Sequence, residues 1–539
     1  MKTDPHFYIS RRSFLRQVGP ATLGTAALGS HFLRDLQLIS SSMAAGPFAT
    51  DDYKALVCIF LAGGSDMNNL IIPTDPSEYA NYAAIRTPVL AIPNADGSGA
   101  TAQALSPINS DGHSYGVHPA AIELAQMFNQ TAGFNDLGQV ASVLNAGPLV
   151  YPMTKAQYVA NSIKKPPQLF SHADQVTQWQ TSIPDQPPST GWGGRLADLL
   201  HASNPQNGPL DLLSTCITIA GTNTFQVGNS VQQYSVGTGG VVSLTNPANP
   251  STATAGRQTA MNSILGIGKT QVNPYTSNYA KALDSALATG AALSTAMSSS
   301  QMASYYSTVA NWSKTGTAHQ VVTPNSGGAT LFTSGLMQQL KMVAQIIEAG
   351  SRLSGVSNGL GMKRQIFFVT VGGYDTHTGQ TNNAGQTTTN DAAVVLGSHA
   401  NLLAELSQCI WSFQKAIKQI GITQSRANFV NNVTSFTASD FGRTFPSNGL
   451  GSDHGWGSHH LVVGGAVAGK KTYGTFPTLA VGGPDDTSMG RWIPTTSVDQ
   501  YAATMAKWLG LSSTEVNTIL PNLTRFPGNY ADGYLGFMP

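Results

Sequence analysis

The chain has 539 residues, enough for one large domain or for two to three domains of ordinary size. Only 10% of its residues are charged, against about 25% in an average soluble protein, and the formal net charge is +1. This balance argues against binding to nucleic acid or to an anionic membrane surface, because both attract a strongly basic surface.

The N-terminal segment is typical of an exported protein. Arg11 and Arg12 stand shortly before Phe14 and Leu15, and a weakly apolar stretch rich in Gly and Ala follows. This order indicates a twin-arginine signal peptide over residues 1–44, although an ordinary basic start is the alternative. We therefore expect the twin-arginine translocase to be a partner during export, and the protein to be periplasmic or secreted.

Beyond this signal, apolar strand-like segments alternate with amphipathic helical segments. Strands are predicted over residues 55–61, 139–145, 365–371 and 432–437, and helices over residues 118–128, 331–349, 391–420 and 498–509, the last one in the chain. This alternation predicts one α/β domain over residues 50–539, with a largely parallel central sheet covered by helices on both faces. No segment reaches the roughly 18 uninterrupted apolar residues of a membrane span, so no stable membrane span is expected.

One stretch has a different character. Between about residues 221 and 329, Ser, Thr, Gly and Asn dominate, with helices predicted near 279–293 and 303–312. We interpret this stretch as a Ser/Thr/Gly-rich insertion or cap over the sheet.

Acidic residues follow three of the predicted strands. Asp66, Asp375 and Asp440 each come after an apolar run that ends in glycine or other small residues. The carboxyl ends of parallel strands meet at one edge of a sheet, where three carboxylates would repel one another unless a cation lay between them. His377 and His454 are added from the same glycine-rich turns, so the pattern predicts a divalent metal site. The alternative is that the aspartates serve as ordinary turn or cap residues.

Ser171, Arg195 and Arg443 are the candidate catalytic residues. Ser171 opens a predicted helix, where a hydroxyl can act either as a helix cap or as a nucleophile, and His172 is the competing functional residue there. The two arginines could bind a tetrahedral oxyanion with paired N–H groups, or could form structural salt bridges.

Seven motifs in this order resemble the bacterial family DUF1501. They are Arg11-Arg12, Gly63-Gly64-Ser65-Asp66-Met67-Asn68-Asn69, Ser171-His172, Gly191-Trp192-Gly193-Gly194-Arg195, Gly372-Gly373-Tyr374-Asp375-Thr376-His377, Ser439-Asp440-Phe441-Gly442-Arg443-Thr444 and Asp453-His454-Gly455.

The resemblance implies an alkaline-phosphatase-like fold, because DUF1501 is grouped with the alkaline phosphatase and sulfatase superfamily. Members of that superfamily hold two divalent ions at the carboxyl edge of the sheet. By this likeness, Asp66 and Asp440 would hold one ion beside the nucleophile Ser171. A second ion would lie at Asp375, His377 and His454. The superfamily usually has His where this chain has Phe441, which cannot bind metal, so the first position would be depleted.

Together, these features predict an exported metal-dependent hydrolase of phosphate or sulfate esters. Its cofactor would be a divalent metal (Zn, Ca, Mg or Mn) and its substrate a small anionic ester. The alternative is a non-catalytic secreted binding or structural protein that retains the fold and one metal.

Overall fold

The computed structural model describes residues 52–94, 101–109, 111–187, 189–204, 213–241, 252–325, 328–353, 356–526 and 534–539. The predicted twin-arginine signal, residues 1–44, lies outside the described residues. Within the described ranges, no helix combines the length and the apolar character that a membrane crossing requires.

A nine-stranded sheet forms the centre of the structure. The strands of the described residues are β1 (Lys54–Leu61), β2 (Ile71–Pro73), β3 (Gln103–Ala104), β4 (Tyr115–Val117), β5 (Gln139–Gly147), β6 (Cys216–Thr218), β7 (Tyr234–Ser235), β8 (Gln320–Asn325), β9 (Gly328–Thr333), β10 (Arg364–Val371), β11 (Val433–Ser439), β12 (Ser458–Gly464), β13 (Lys471–Gly474) and β14 (Thr496–Ser497). The central order is β13-β5-β12-β11-β1-β10-β6-β7, and β14 pairs with β5. Strands β2, β4 and β3 form a small second sheet, and β8 and β9 form a hairpin.

Most of the central sheet is parallel, as the sequence predicts. Strand β1 pairs in parallel with both β10 and β11, and β10 pairs in parallel with β6. Strand β12 is the exception, because it runs antiparallel to both β11 and β5. The sheet is therefore mixed, with one reversed strand inside a parallel framework.

The apolar character of β1 follows from burial on both faces. Ala55, Val57 and Ile59 point into one hydrophobic core, whereas Leu56 and Cys58 point into a second core on the opposite face. A strand covered on both sides needs an almost continuous apolar sequence rather than an alternating one. Helices cover both faces, in agreement with the prediction.

The helix bounds differ from the predictions mainly where local turns interrupt a helical pattern. The segment predicted as one helix over 391–420 is two helices separated at Gly397, whose φ of 120° is not helical. Leu331 belongs to β9, and a short helix follows the one predicted to be the last. The α-helices of the described residues are Pro76–Leu90, Ile122–Asn129, Lys155–Ala160, His172–Thr181, Trp192–Leu200, Thr252–Lys269, Pro274–Ser298, Ala303–Ser307, Gly335–Ser351, Asp391–Val394, Ser398–Thr423, Val498–Leu509 and Ser513–Ile519.

Candidate metal centre

Three turns leave the same edge of the sheet. At the end of β1, Leu61 is in register with Val371 of β10 on one side and with Ser439 of β11 on the other. The turns that follow these strands therefore start side by side. Gly63, with φ of 118°, lets two of them approach closely, because a Cβ at that position would lie 2.5 Å from the backbone nitrogen of Asp375.

Three histidines converge on Asp375 at this edge. Nε2 of His377 and Nε2 of His454 lie 3.1 Å and 3.4 Å from Oδ1 of Asp375. Nε2 of His172 lies 3.7 Å from Oδ2 of the same carboxylate. Potential ligand atoms of His172, Asp375 and His454 all fall within 4.8 Å of one another. We call these four residues the histidine cluster.

The outer nitrogen of each ring is held by an acceptor. Nδ1 of His454 lies 2.8 Å from the carbonyl oxygen of Phe170, Nδ1 of His377 lies 2.9 Å from Oδ1 of Asp453, and Nδ1 of His172 lies 2.7 Å from Oδ2 of Asp440. A carbonyl or an ionised carboxylate can only accept, so each Nδ1 carries the proton. In the neutral rings, all three Nε2 atoms then present lone pairs to the cluster.

Two of these lone pairs face each other directly. Nε2 of His377 and Nε2 of His454 are 2.9 Å apart. Without a proton or a cation between them, two imidazole lone pairs at that distance repel. A proton or a cation between the two nitrogens would remove this repulsion, and the contact marks where a positive ion would fit.

Asp375 is kept ionised by the arginine behind it. Nη1 of Arg443 donates to Oδ1 of Asp375 at 2.6 Å. Burial acts to raise the pKa of Asp375, but the hydrogen bond and the charge of Arg443, helped by the neighbouring histidines, hold that pKa below its usual value. Arg443 itself is almost fully buried and also donates to the backbone carbonyl of Ser452. It therefore positions Asp375, while the oxyanion contact predicted for it stays a prediction.

Asp440 supports a histidine rather than facing the cluster itself. Its Oδ1 accepts the backbone N–H of Gly63 at 3.0 Å and its Oδ2 faces Nδ1 of His172. Phe441 follows and packs its ring against His172 and His454, with centroid distances of 4.8 Å and 4.6 Å. The phenylalanine thus forms an apolar wall of the cluster.

The sequence model of the family DUF1501 matches residues 53–518. The family is described as a protein of unknown function. The chain belongs to this family. The match spans all the residues of the histidine cluster. Among curated proteins, none matches the chain.

In this DUF1501 protein, the structure corrects the metal-binding role predicted for Asp66. Its carboxylate is fully buried and accepts from both terminal nitrogens of Arg86, at 2.6 Å and 3.0 Å, and from Nε2 of Gln380 at 2.5 Å. Burial acts to raise the pKa of Asp66, but the charge of Arg86 outweighs it and lowers that pKa. Because an arginine neutralises Asp66 and Asp440 orients His172, the two residues do not form the shared metal position that the resemblance implied.

Arg195 is also placed differently from its prediction. It is buried, and its guanidinium donates to the carbonyl oxygens of Ile519, Thr190 and Thr181. These partners all lie outside the histidine cluster. Arg195 therefore ties neighbouring segments of the chain together, and its predicted role in binding an oxyanion is not supported by this placement.

Ser171 lies where the sequence predicts it, at the start of the helix His172–Thr181. Its Oγ makes no cap bond to the backbone and donates instead to Oδ2 of Asp174 at 2.6 Å. A hydroxyl paired with a carboxylate is one arrangement that activates a nucleophile. Asp174, the acidic residue of the Ser-x-x-Asp pattern that predicts this helix start, is thus the partner of the Ser171 hydroxyl.

His172 is the main residue that sequence reasoning placed too low. The sequence indicates His172 only as the competing functional residue beside Ser171, and not as a metal ligand. The signal available in the sequence is its position next to Ser171 at a predicted helix start. In the structure, this helix start directs His172 toward the turn after β11, where Asp440 holds its Nδ1. The sequence-predicted trio of Asp375, His377 and His454 is brought together, and His172 completes it.

Proposed function

We propose that this protein is an exported, metal-dependent hydrolase of phosphate or sulfate esters, built on an alkaline-phosphatase-like fold. The observation that carries the proposal is the histidine cluster, in which three Nε2 atoms with their Nδ1 protons fixed surround an ionised Asp375. It lies beyond the carboxyl ends of parallel strands, where open α/β sheets bind ligands.

The residues present fit a divalent transition metal. His172, His377 and His454 would each offer one imidazole nitrogen, and Asp375 one carboxylate oxygen. Imidazole nitrogen suits zinc, whereas magnesium and calcium prefer sites built of oxygen alone. Acceptors behind each ring orient metal-bound histidines in known sites. The donor set therefore favours zinc over calcium, magnesium or manganese.

The exposure of the cluster suits a catalytic ion better than a structural one. The side chains of Asp375, His377 and His172 are 44%, 40% and 38% exposed. Structural zinc sites are closed, whereas catalytic ones keep a position open to water or substrate. When bound, the ion would supply charge that stabilises the oxyanion developing on an ester.

Ser171 and Asp174 supply the nucleophile in this proposal. Oγ of Ser171 would form a bond to the phosphorus or sulfur of the ester while its proton passes to Oδ2 of Asp174. The bond to the alcohol breaks, and the leaving alcohol takes up that proton. Water then hydrolyses the serine ester, which restores Ser171 and releases phosphate or sulfate.

A second candidate is a non-catalytic protein that binds one metal. Arg195 and Arg443, the two arginines predicted to bind an oxyanion, both donate to protein groups instead, which favours this candidate. Phe441 also favours it, because it stands where the superfamily usually has histidine. In this case the cluster would serve binding or assembly, and Ser171 with Asp174 would only stabilise the start of a helix.

Two measurements on the full-length protein separate these candidates. Elemental analysis after gentle purification reports the metal content, and aryl phosphates and aryl sulfates report hydrolysis. Bound metal with turnover that chelation abolishes supports the hydrolase. Bound metal without turnover on either ester class supports the second candidate, and a protein that takes up no metal overturns both.

A further inference from the structure

A different arginine, Arg491, lies beside the histidine cluster. It belongs to a tight loop in which the backbone N–H of Arg491 donates to Oδ1 of the buried Asp486 at 3.1 Å. The carbonyl oxygen of Arg491 accepts from the backbone and the hydroxyl of Thr487, both at 3.1 Å. The backbone of Arg491 is therefore held from both sides.

The guanidinium is fixed against the residues that hold His454. Nε of Arg491 donates to the carbonyl oxygen of His454 at 2.9 Å. Its central carbon lies 4.4 Å from the centroid of the Phe170 ring, and the carbonyl of Phe170 in turn holds Nδ1 of His454. The hydrogen bond to His454 and the stacking on Phe170 thus hold the positive charge of Arg491 beside His454 before any ligand binds.

The terminal nitrogens of Arg491 remain available. Among the described residues, no carboxylate forms an ion pair with Arg491, and Nη1 and Nη2 donate to no protein acceptor. Arg443 differs, because its guanidinium is spent on Asp375 and on backbone carbonyls. A half-buried guanidinium with a fixed Nε and two free terminal nitrogens is arranged for an oxyanion.

We propose that Arg491 binds the anionic group of the ligand at the histidine cluster, the role that the sequence assigned to Arg195 and Arg443. This inference rests on the proposed function, since it takes phosphate or sulfate esters as the ligands. The terminal N–H groups would hold two oxygens of the phosphoryl or sulfuryl group, and Asp486 and Phe170 would fix the arginine in place.

The test is binding of inorganic phosphate to the metal-loaded, full-length protein, measured by calorimetry at constant ionic strength. Arg491→Gln should raise the Kd for phosphate about tenfold or more, as expected when a charge-assisted contact is lost. Arg491→Lys keeps the charge but not the paired donors, and should raise the Kd by less. Inorganic sulfate should show the same order of affinities.

Lys155→Gln is the matched control. Nζ of Lys155 donates to the carbonyl oxygens of Gly482 and Gly483 in the same loop, so this variant removes one positive charge there without touching the cluster. Its Kd for phosphate should equal that of the wild type. If Lys155→Gln raised the Kd for phosphate as much as Arg491→Gln does, the loss of affinity would reflect general electrostatics, and the proposal would be overturned.

Metal content, measured on the same samples, distinguishes a failure of the proposed function from a failure of the role of Arg491. A wild type that takes up no metal would overturn the proposed function. A metal-loaded wild type that binds no phosphate, or binds it with the affinity of Arg491→Gln, would overturn the role of Arg491 alone. If Arg491→Gln loses metal, the wild type is compared with Arg491→Lys instead. Equal affinities of these two proteins for phosphate would then overturn the proposed contact of the paired N–H groups.

Discussion

His377 and His454 bring their Nε2 atoms to 2.9 Å from each other although 77 residues separate them in the chain. Their Nδ1 protons are committed to Asp453 and to the carbonyl of Phe170, so neither ring can relieve the contact by changing tautomer without losing a hydrogen bond. A bound cation would convert this repulsion into coordination. The proposed metal centre depends on this pair more than on any other contact.

His377→Ala and His454→Ala should each lower the bound metal per chain and the Tm. A metal that binds only the native state stabilises it, by about 2.7 kcal/mol at a concentration 100 times its Kd. His113→Ala is the control, because His113 lies away from the cluster and pairs with Glu78. Retention of full metal content by both cluster variants, measured by elemental analysis, would contradict the assignment.

Asp440→Asn should weaken metal binding about 10- to 100-fold without removing a ligand, since it alters the acceptor that fixes His172. Titration of the metal-free protein, followed by competition with a chelator, measures the change. Asp136→Asn removes a carboxylate that pairs with Lys418 at the surface and should leave metal affinity unchanged. Equal affinities in wild type and Asp440→Asn would mean that the carboxylate of Asp440 does not support a metal ligand.

Ser171→Ala and Asp174→Asn should both abolish ester hydrolysis while the fold and the bound metal are retained. The hydroxyl and the carboxylate are 2.6 Å apart, within the reach of a nucleophile and its base. Turnover and Tm are measured together, because a hydroxyl that only stabilises the helix start through Asp174 would change the Tm and leave turnover intact. Wild-type turnover in Ser171→Ala on a confirmed substrate would leave Ser171 as a helix-start residue.

Asp499→Asn should flatten the pH dependence of stability between pH 5 and pH 7. Burial raises the pKa of Asp499 to about 7, despite the opposing charge of Arg195. Between its usual pKa and pH 7, the folded state holds a proton that the unfolded state has lost, so stability falls as pH rises, by about 1.4 kcal/mol per pH unit. Denaturant unfolding of metal-free protein at pH 5, 6 and 7 measures the slope, and a wild type with no decline attributable to Asp499 would refute this assignment.

Replacement of Arg11 and Arg12 by Lys should leave the protein in the cytoplasm if the twin-arginine signal is correct, because that export route reads the arginine pair. Fractionation of the producing cells, with a cytoplasmic and a periplasmic marker, measures the distribution. Normal export of the double variant would refute this signal while leaving the metal centre untouched.

Local sequence was sufficient for the framework of the site. Apolar runs that end in small residues and an aspartate predicted the carboxyl ends of β1, β10 and β11, and their register places these ends together. Strand burial on two faces and the positions of turns depend on short-range patterns of hydrophobicity and glycine, which the sequence displays directly. Asp375, His377 and His454 could therefore be assigned to one location.

The partners of each polar group were decided only by tertiary structure. Asp66 and Asp375 look alike in sequence, yet Asp66 is neutralised by Arg86, while Asp375 shares one oxygen with Arg443 and faces three histidines. Arg195, Arg443 and Arg491 likewise differ in which acceptors reach them, and that is set by packing between distant segments. A carboxylate can act as a ligand, and an arginine as an anion site, only where its protein partners leave an oxygen or an N–H group available. Contacts between segments far apart in the chain decide this, and the sequence alone does not show them.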